Sequence, residues 1–244
     1  MTNISKTAHP FLSGKEFSSG LLFNVKPDSE QKHLGRIPFL TDYVKGKSVI
    51  HLGCCDHLPL IKNKISKNQW LHKLVTEVST ECVGVDIDQE GISFLKDELK
   101  CDNVVCADIL NDDIKELESK QWDVMIIGEV LEHIPNPVEF LSKLSERYKG
   151  KVNTLILTVP NAFCISNFKD AFKGYEYINT DHKYWFTPFT LAKILTLSGF
   201  TPDSFTFAQY GSARGGSGLR SYLNYRLIKS KPIFRESLIF ISKF

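Results

Sequence analysis

Apolar residues in this chain gather in short β-branched runs, each stopped by a glycine, an acid or a proline, with helix-spaced positions between them. Ser48–Leu52 carries Val49, Ile50 and Leu52 and stops at Gly53. Residues 82–87 form a second run ending in the carboxylates Asp86 and Asp88, and residues 103–107 a third ending at Asp108. Residues 123–127 stop at Gly128, and residues 154–159 close at Pro160. Runs of this length, apolar throughout, predict parallel strands buried on both faces.

The intervening segments read as helices. Leu34, Ile37, Leu40 and Val44 predict a leading helix within 31–45, and Ile92, Leu95 and Leu99 another. Asn136 and Pro137 form an N-cap and first turn for Leu141, Leu144 and Tyr148, stopped by Gly150. Thr187 and Pro188 open a further helix that Gly199 ends. The first crossover, 56–74, is unusually long and broken by polar residues. Two final β runs, 204–208 and 237–241, flank a polar segment with a helix over 219–227, which suggests an antiparallel hairpin with an insertion. Strands alternating with helices predict an α/β, doubly wound, mostly parallel sheet.

Composition narrows the function classes. With 244 residues, 42% of them hydrophobic, one domain with a sizeable core is expected. Thirty Lys and Arg against 28 Asp and Glu leave a net charge of +2, which argues against a dedicated nucleic-acid binder. The apolar runs are strand-sized, so no transmembrane segment is expected. Residues 1–17 lack the apolar core of a secretory signal, and a cytoplasmic location is expected. The 6 cysteines lack paired metal spacing and read as reduced thiols, although Cys54 and Cys55 sit together at the first glycine turn.

A strand ending in glycine beside a strand ending in an acid is suited to gripping an adenosine. Gly53 lets a ligand approach the backbone, and a carboxylate takes two hydrogen bonds from a ribose diol. In sequence order, His51-Leu-Gly-Cys-Cys-Asp56, Val83-Gly-Val-Asp86, Cys106-Ala-Asp-Ile109, Glu129-Val-Leu-Glu-His133 and Leu157-Thr-Val-Pro-Asn161 resemble the class I S-adenosylmethionine-dependent methyltransferases. The resemblance covers about residues 45–200. It implies a Rossmann-like seven-stranded sheet with an antiparallel last strand. Residues 1–45 would then be an N-terminal tail and leading helix, a candidate lid. Residues 46–244 would be the methyltransferase domain, with 210–235 a basic insertion between the last two strands. Two departures stand out: Gly53 alone replaces the usual two or three glycines, and the interval to Asp86 is long. The same turn lacks the Gly-x-Gly-x-x-Gly of a dinucleotide site. The turn and the later Trp70-Leu-His72 further resemble O-methyltransferases of bacterial surface-polysaccharide biosynthesis.

The resemblance assigns Asp86 to the ribose hydroxyls, Asp108 to the adenine amino group, and Ile87 and Ile109 to the ring. Gly53 and Glu129 complete the cofactor set, with His51 either at the methionine end or in the core. Asp86 as a helix N-cap and Asp108 as a turn residue are the competing structural readings. Trp70 and His72 are read chiefly as packing residues, and Trp185 and Phe186 as either an acceptor-pocket floor or core. His133, just past the fourth strand, is the natural general base for an acceptor hydroxyl. If a helix starts at Glu129, then Glu129, Glu132 and His133 share one face and favour a divalent metal such as magnesium, with His182 a fourth ligand. Glu-x-x-Glu-His with a later His also resembles the small-RNA 2′-O-methyltransferases, whose corresponding residues hold magnesium against a ribose diol. The ubiquinone-pathway O-methyltransferases show a similar pairing.

No acid occurs between Ser204 and Arg235, while Arg214, Arg220, Arg226, Lys229, Lys231 and Arg235 do. This basic stretch is either a solvated face or a binder of phosphate-bearing acceptors. The expected function is S-adenosylmethionine-dependent O-methylation of a sugar, phosphorylated or other small-molecule or glycan acceptor, with no nucleic-acid partner. A non-catalytic binding protein on the same fold and an NAD-dependent oxidoreductase are the competing classes. Oligomeric state is left open.

Overall fold

The computed structural model describes residues 1–27, 32–56, 58–118, 120–210 and 218–244. The chain begins with β1 (Thr2–Asn3), α1 (His9–Leu12) and α2 (Arg36–Val44). Next come β2 (Ser48–Leu52), α3 (Leu58–Ser66), α4 (Leu71–Val78), β3 (Glu81–Asp86) and α5 (Gln89–Asp97). Then follow β4 (Val104–Cys106), α6 (Lys115–Glu118), β5 (Trp122–Gly128), α7 (Pro137–Tyr148) and β6 (Val152–Pro160). The chain closes with α8 (Ile165–Phe172), α9 (Pro188–Leu197), β7 (Thr201–Ala208), α10 (Leu219–Ser230) and β8 (Ser237–Lys243).

The strands form one sheet in the order β1-β7-β8-β6-β5-β2-β3-β4. Strands β2 to β6 pair in parallel, and β8 runs antiparallel to both β6 and β7. The doubly wound sheet with its antiparallel last strand is therefore present, with one addition. Thr2 and Asn3 pair antiparallel with Phe205 and Ser204, so the sheet has eight strands where seven were expected. The N-terminal stretch expected as a tail also contributes α1, whose Leu12 is buried in the main core. The long first crossover resolves into two helices, α3 and α4, separated by Asn68 at φ 53°.

Alternation along the strands divides the core between the two faces of the sheet. On one face, Ile50, Met125, Ile127, Leu155 and Leu157 pack with Leu141, Leu144, Leu191 and Leu195 of α7 and α9. On the other, Val49, Val124, Ile126 and Ile156 pack with Leu40, Val44, Leu71 and Val75 of α2 and α4. Each fully buried aliphatic side chain is worth roughly 1.5–3 kcal/mol. The helices start where their caps dictate: Asn136 Oδ1 accepts from Glu139 N at 3.3 Å, and Thr187 with Thr190 forms a capping box. The order of strands reverses between β2 and β5, so a crevice opens beyond their carboxyl ends. Among the described residues no helix is long and apolar enough to cross a membrane.

Candidate active site

A cavity of about 950 Å³ occupies that crevice. Its floor is the turn after β2. Gly53 holds φ +73°, and a Cβ there would run into Val130 Cγ2 from the turn after β5. Glycine is thus required twice, by conformation and by the approach of the neighbouring loop. Asp86, at the end of β3, also lines the cavity. Its Oδ2 accepts Cys55 N at 2.9 Å and its Oδ1 accepts Asp88 N at 3.1 Å. Burial raises its pKa against the pull of those hydrogen bonds. The helix N-cap is Asp88, which accepts from Gly91 N at 3.0 Å, so Asp86 is free of that role.

The other expected cofactor residues divide. Ile87 is 76% exposed on the rim, while Ile109 is buried in the main core and lies off the cavity. Asp108 accepts from Leu110 N and from Asn111 Nδ2, the turn pattern, and does not line the cavity. His51 is buried on the cavity wall with its Nδ1 3.2 Å from His72 Nδ1. Burial pushes both imidazoles down, His72 to about 4, so the pair is neutral and one ring donates to the other. Trp70 packs against His72 with ring centroids 5.7 Å apart. Phe186 is core, whereas Trp185 reaches the cavity.

The turn after β5 departs from expectation. No α-helix begins at Glu129. Its φ is +57°, an uncommon conformation for a non-glycine residue, and a single 3-10 turn follows over Leu131–His133. The four-residue helical spacing therefore does not bring the three side chains together. Glu129 lines the cavity but stays outside that ligand group, accepting from Thr158 Oγ1 at 2.9 Å and from the Tyr210 hydroxyl, with Arg36 Nη1 at 3.8 Å. Glu132, His133 and His182 converge without it: one ligand atom from each lies within 4.8 Å of the others. His182 arrives on the segment before α9, which is fastened by Lys183 N to Glu132 O (2.8 Å) and by Lys183 Nζ to His133 O (2.9 Å). Tyr184 adds a bond from its hydroxyl to Pro135 O at 2.7 Å.

Glu132 is wholly buried, and neither carboxylate oxygen has a hydrogen-bond partner among the described residues, with His182 Nε2 standing 3.9 Å from Oε1. Burial, then the Glu129 carboxylate, pushes its pKa up to about 9. A buried carboxyl with two orphaned oxygens beside two imidazoles fits a divalent cation, which would neutralise and coordinate it. Sequence reasoning missed Arg36, Thr158 and Tyr210, the holders of Glu129. They come from α2, β6 and the end of β7, and no local pattern marks them. In the basic stretch, Arg214 and the side chain of Arg220 lie outside the described residues. Arg235 does not belong to a solvated face: it is 2% exposed and donates to Ile228 O and Phe207 O, both at 2.9 Å.

A doubly wound sheet with this strand order, opening its cavity between a glycine turn and an acid-tipped strand, is the arrangement expected of the methyltransferase class. Comparison with known proteins agrees: the chain belongs to the methyltransferase-domain family whose model matches residues 37–204. It is 26% identical over 184 residues to the mitochondrial ubiquinone biosynthesis O-methyltransferase of Dictyostelium discoideum, a match covering 62% of this chain. The chain spans about half (53%) of that relative's length. A methyltransferase crystal structure from Archaeoglobus fulgidus superposes with TM-score 0.50 at 22% identity, covering 86% of this chain and 91% of the other. A small RNA methyltransferase superposes with TM-score 0.55 at 18% identity, covering 91% of this chain and 28% of the other. At these identities the structural matches speak for the fold.

Proposed function

We propose that this enzyme methylates a hydroxyl oxygen, with S-adenosylmethionine on Gly53 and Asp86 and a divalent metal on Glu132, His133 and His182. The observation that carries the reading is Glu132, fully buried with neither oxygen hydrogen-bonded among the described residues and with His182 Nε2 3.9 Å from Oε1. Asp86 accepts the ribose hydroxyls, Ile87 covers the adenine edge, and His51 faces the methionine end. Glu129, which lines the cavity and is held by Arg36, Thr158 and Tyr210, is assigned to the cofactor as well. Asp108 and Ile109, which do not line the cavity, are assigned supporting parts behind the adenine side.

The acceptor hydroxyl would give up its proton to solvent water, its oxygen would bond to the methyl carbon in line, and the carbon–sulfur pair would stay with sulfur, leaving S-adenosylhomocysteine. A divalent ion bound here supplies a Lewis acid that lowers the hydroxyl's pKa. The two loops fastened by Lys183 and Tyr184 hold acceptor and sulfonium in register, and such positioning supplies much of the rate. We assign a small-molecule or glycan hydroxyl, in surface-glycan biosynthesis, as the acceptor. The turn sequence and the near-neutral net charge support that assignment.

The test is EDTA treatment with add-back of magnesium, manganese or zinc, on wild type, Glu132→Gln and His182→Ala. Nucleotide sugars, quinols and an RNA terminus are offered as acceptors. Activity should vanish with EDTA, return with metal in wild type, and stay low in both variants. Full activity in EDTA would remove the metal and leave His133 as the general base. Turnover of the RNA alone would overturn the glycan assignment.

A further inference from the structure

A second group of ligand-type atoms lines the same cavity. Cys54 Sγ, Cys55 Sγ and a carboxylate oxygen of Asp86 all lie within 4.8 Å of one another. Cys54 is buried, while Cys55 and Asp86 are half-buried, and all three line the cavity. The fold leaves room for the sulfurs at glycines. A Cβ on Gly84 would sit 2.8 Å from Cys54 Sγ, and one on Gly91 would sit 3.0 Å from Cys55 Sγ. Both cysteines are free thiols. Two side chains adjacent in sequence ordinarily diverge. Here the turn after Gly53 directs both sulfurs toward the tip of β3, and the Cys55 N–H bond to Asp86 fixes that approach at 2.9 Å.

We propose that Cys54, Cys55 and Asp86 form a binding site for one thiophilic divalent cation of the zinc class, and that this ion and the cofactor exclude each other. Two thiolates and a carboxylate are the donors such an ion prefers, and a fourth position stays open for water. Magnesium and calcium, which need oxygen donors, do not suit the set. The site is thereby distinct in chemistry from Glu132, His133 and His182. Binding releases two thiol protons to solvent for each ion taken up. Because the ion displaces thiol protons, affinity climbs with pH. Exclusion follows because Asp86 cannot accept a ribose diol and ligate a cation with the same oxygens. That half of the proposal rests on the placement of the ribose on Asp86.

Cadmium is the probe, because cadmium–thiolate bonds give an ultraviolet charge-transfer band that carboxylate and imidazole ligands do not. The full chain is titrated as wild type, Cys55→Ser, Asp86→Asn and His182→Ala. Folding of each variant is checked by circular dichroism and thermal midpoint. The band should appear at one equivalent in wild type and His182→Ala, fade in Cys55→Ser, and require more cadmium in Asp86→Asn. With cadmium at about ten times its own dissociation constant, the apparent Kd for S-adenosylhomocysteine should rise about tenfold, the mass-action result for exclusive binding. No band in wild type, or an undiminished band in folded Cys55→Ser, overturns the ion site and leaves the cofactor placement standing. A band with unchanged S-adenosylhomocysteine affinity overturns the exclusion and removes the ribose from Asp86.

Discussion

The His51–His72 pair makes the chain sensitive to acid in a window set by its burial. His72, on α4, is fully buried against His51 of β2, and its Nε2 has no hydrogen-bond partner among the described residues. Burial depresses its pKa from 6.5 to about 4, and that of His51 well below 6.5. In the unfolded chain both rings protonate near pH 6.5, while in the folded chain they stay neutral. The neutral pair thus contributes stability that is present above pH 6.5 and lost as pH falls from 6.5 toward 4. A shift of that size in His72 corresponds to about 3 kcal/mol. His51 adds to the loss, because charging both rings would set two N–H groups against each other at 3.2 Å. The assay is urea unfolding of wild type and His72→Gln at intervals from pH 7 to pH 4.5, with the imidazole resonances followed by NMR. Wild-type stability should fall steeply through the window, and the variant should fall less steeply because only His51 remains. His72 titrating near 6.5 in the folded protein, or identical slopes in both proteins, would refute the argument. The consequence for function is electrostatic. A neutral wall can stand beside a sulfonium, whereas a protonated one would repel it, so S-adenosylmethionine affinity should fall with acid before S-adenosylhomocysteine affinity does.

Three further outcomes can be checked on the same material. Asp86→Ala should weaken S-adenosylhomocysteine binding by roughly 2–3 kcal/mol, the scale of charged hydrogen bonds lost, and an unchanged Kd by calorimetry would place the ribose elsewhere. Gly53→Ala should be destabilised by about 1–3 kcal/mol from its φ of +73° and the clash with Val130, and Val130→Ala should restore only the steric part. Equal stability of the Gly53→Ala single mutant and wild type would contradict that geometry. Arg235→Ala should cost on the order of 2–3 kcal/mol in thermal or urea unfolding, because Ile228 O and Phe207 O lose a charged donor. The exposed Arg226→Ala should cost almost nothing, and equal effects would mean that Arg235 is no more structural than its neighbour.

The amino-acid sequence by itself determined the strand ends. Ser48–Leu52 forms over the residues its apolar run marks out, and the acid at the end of β3 and the glycine after β2 do face one cavity. That legibility has a physical reason: central parallel strands are buried on both faces, so burial writes itself as an uninterrupted β-branched run, and the turn residues mark where it stops. Caps were legible for the same local reason, as Asn136 and Thr187 show. Only the tertiary structure decided what each end residue meets. Glu129 leaves the metal-type cluster because its backbone enters the left-handed region and because Thr158, Tyr210 and Arg36 arrive there from β6, the end of β7 and α2. His182 joins Glu132 and His133 from 50 residues on because the Lys183 side chain and backbone fasten the two loops. Thr2 and Asn3 extend the sheet because β7 offers an open edge at the other end of the chain. Periodicity reports which face of an element is buried, while the partners across that face are chosen by the packing of elements far apart in sequence.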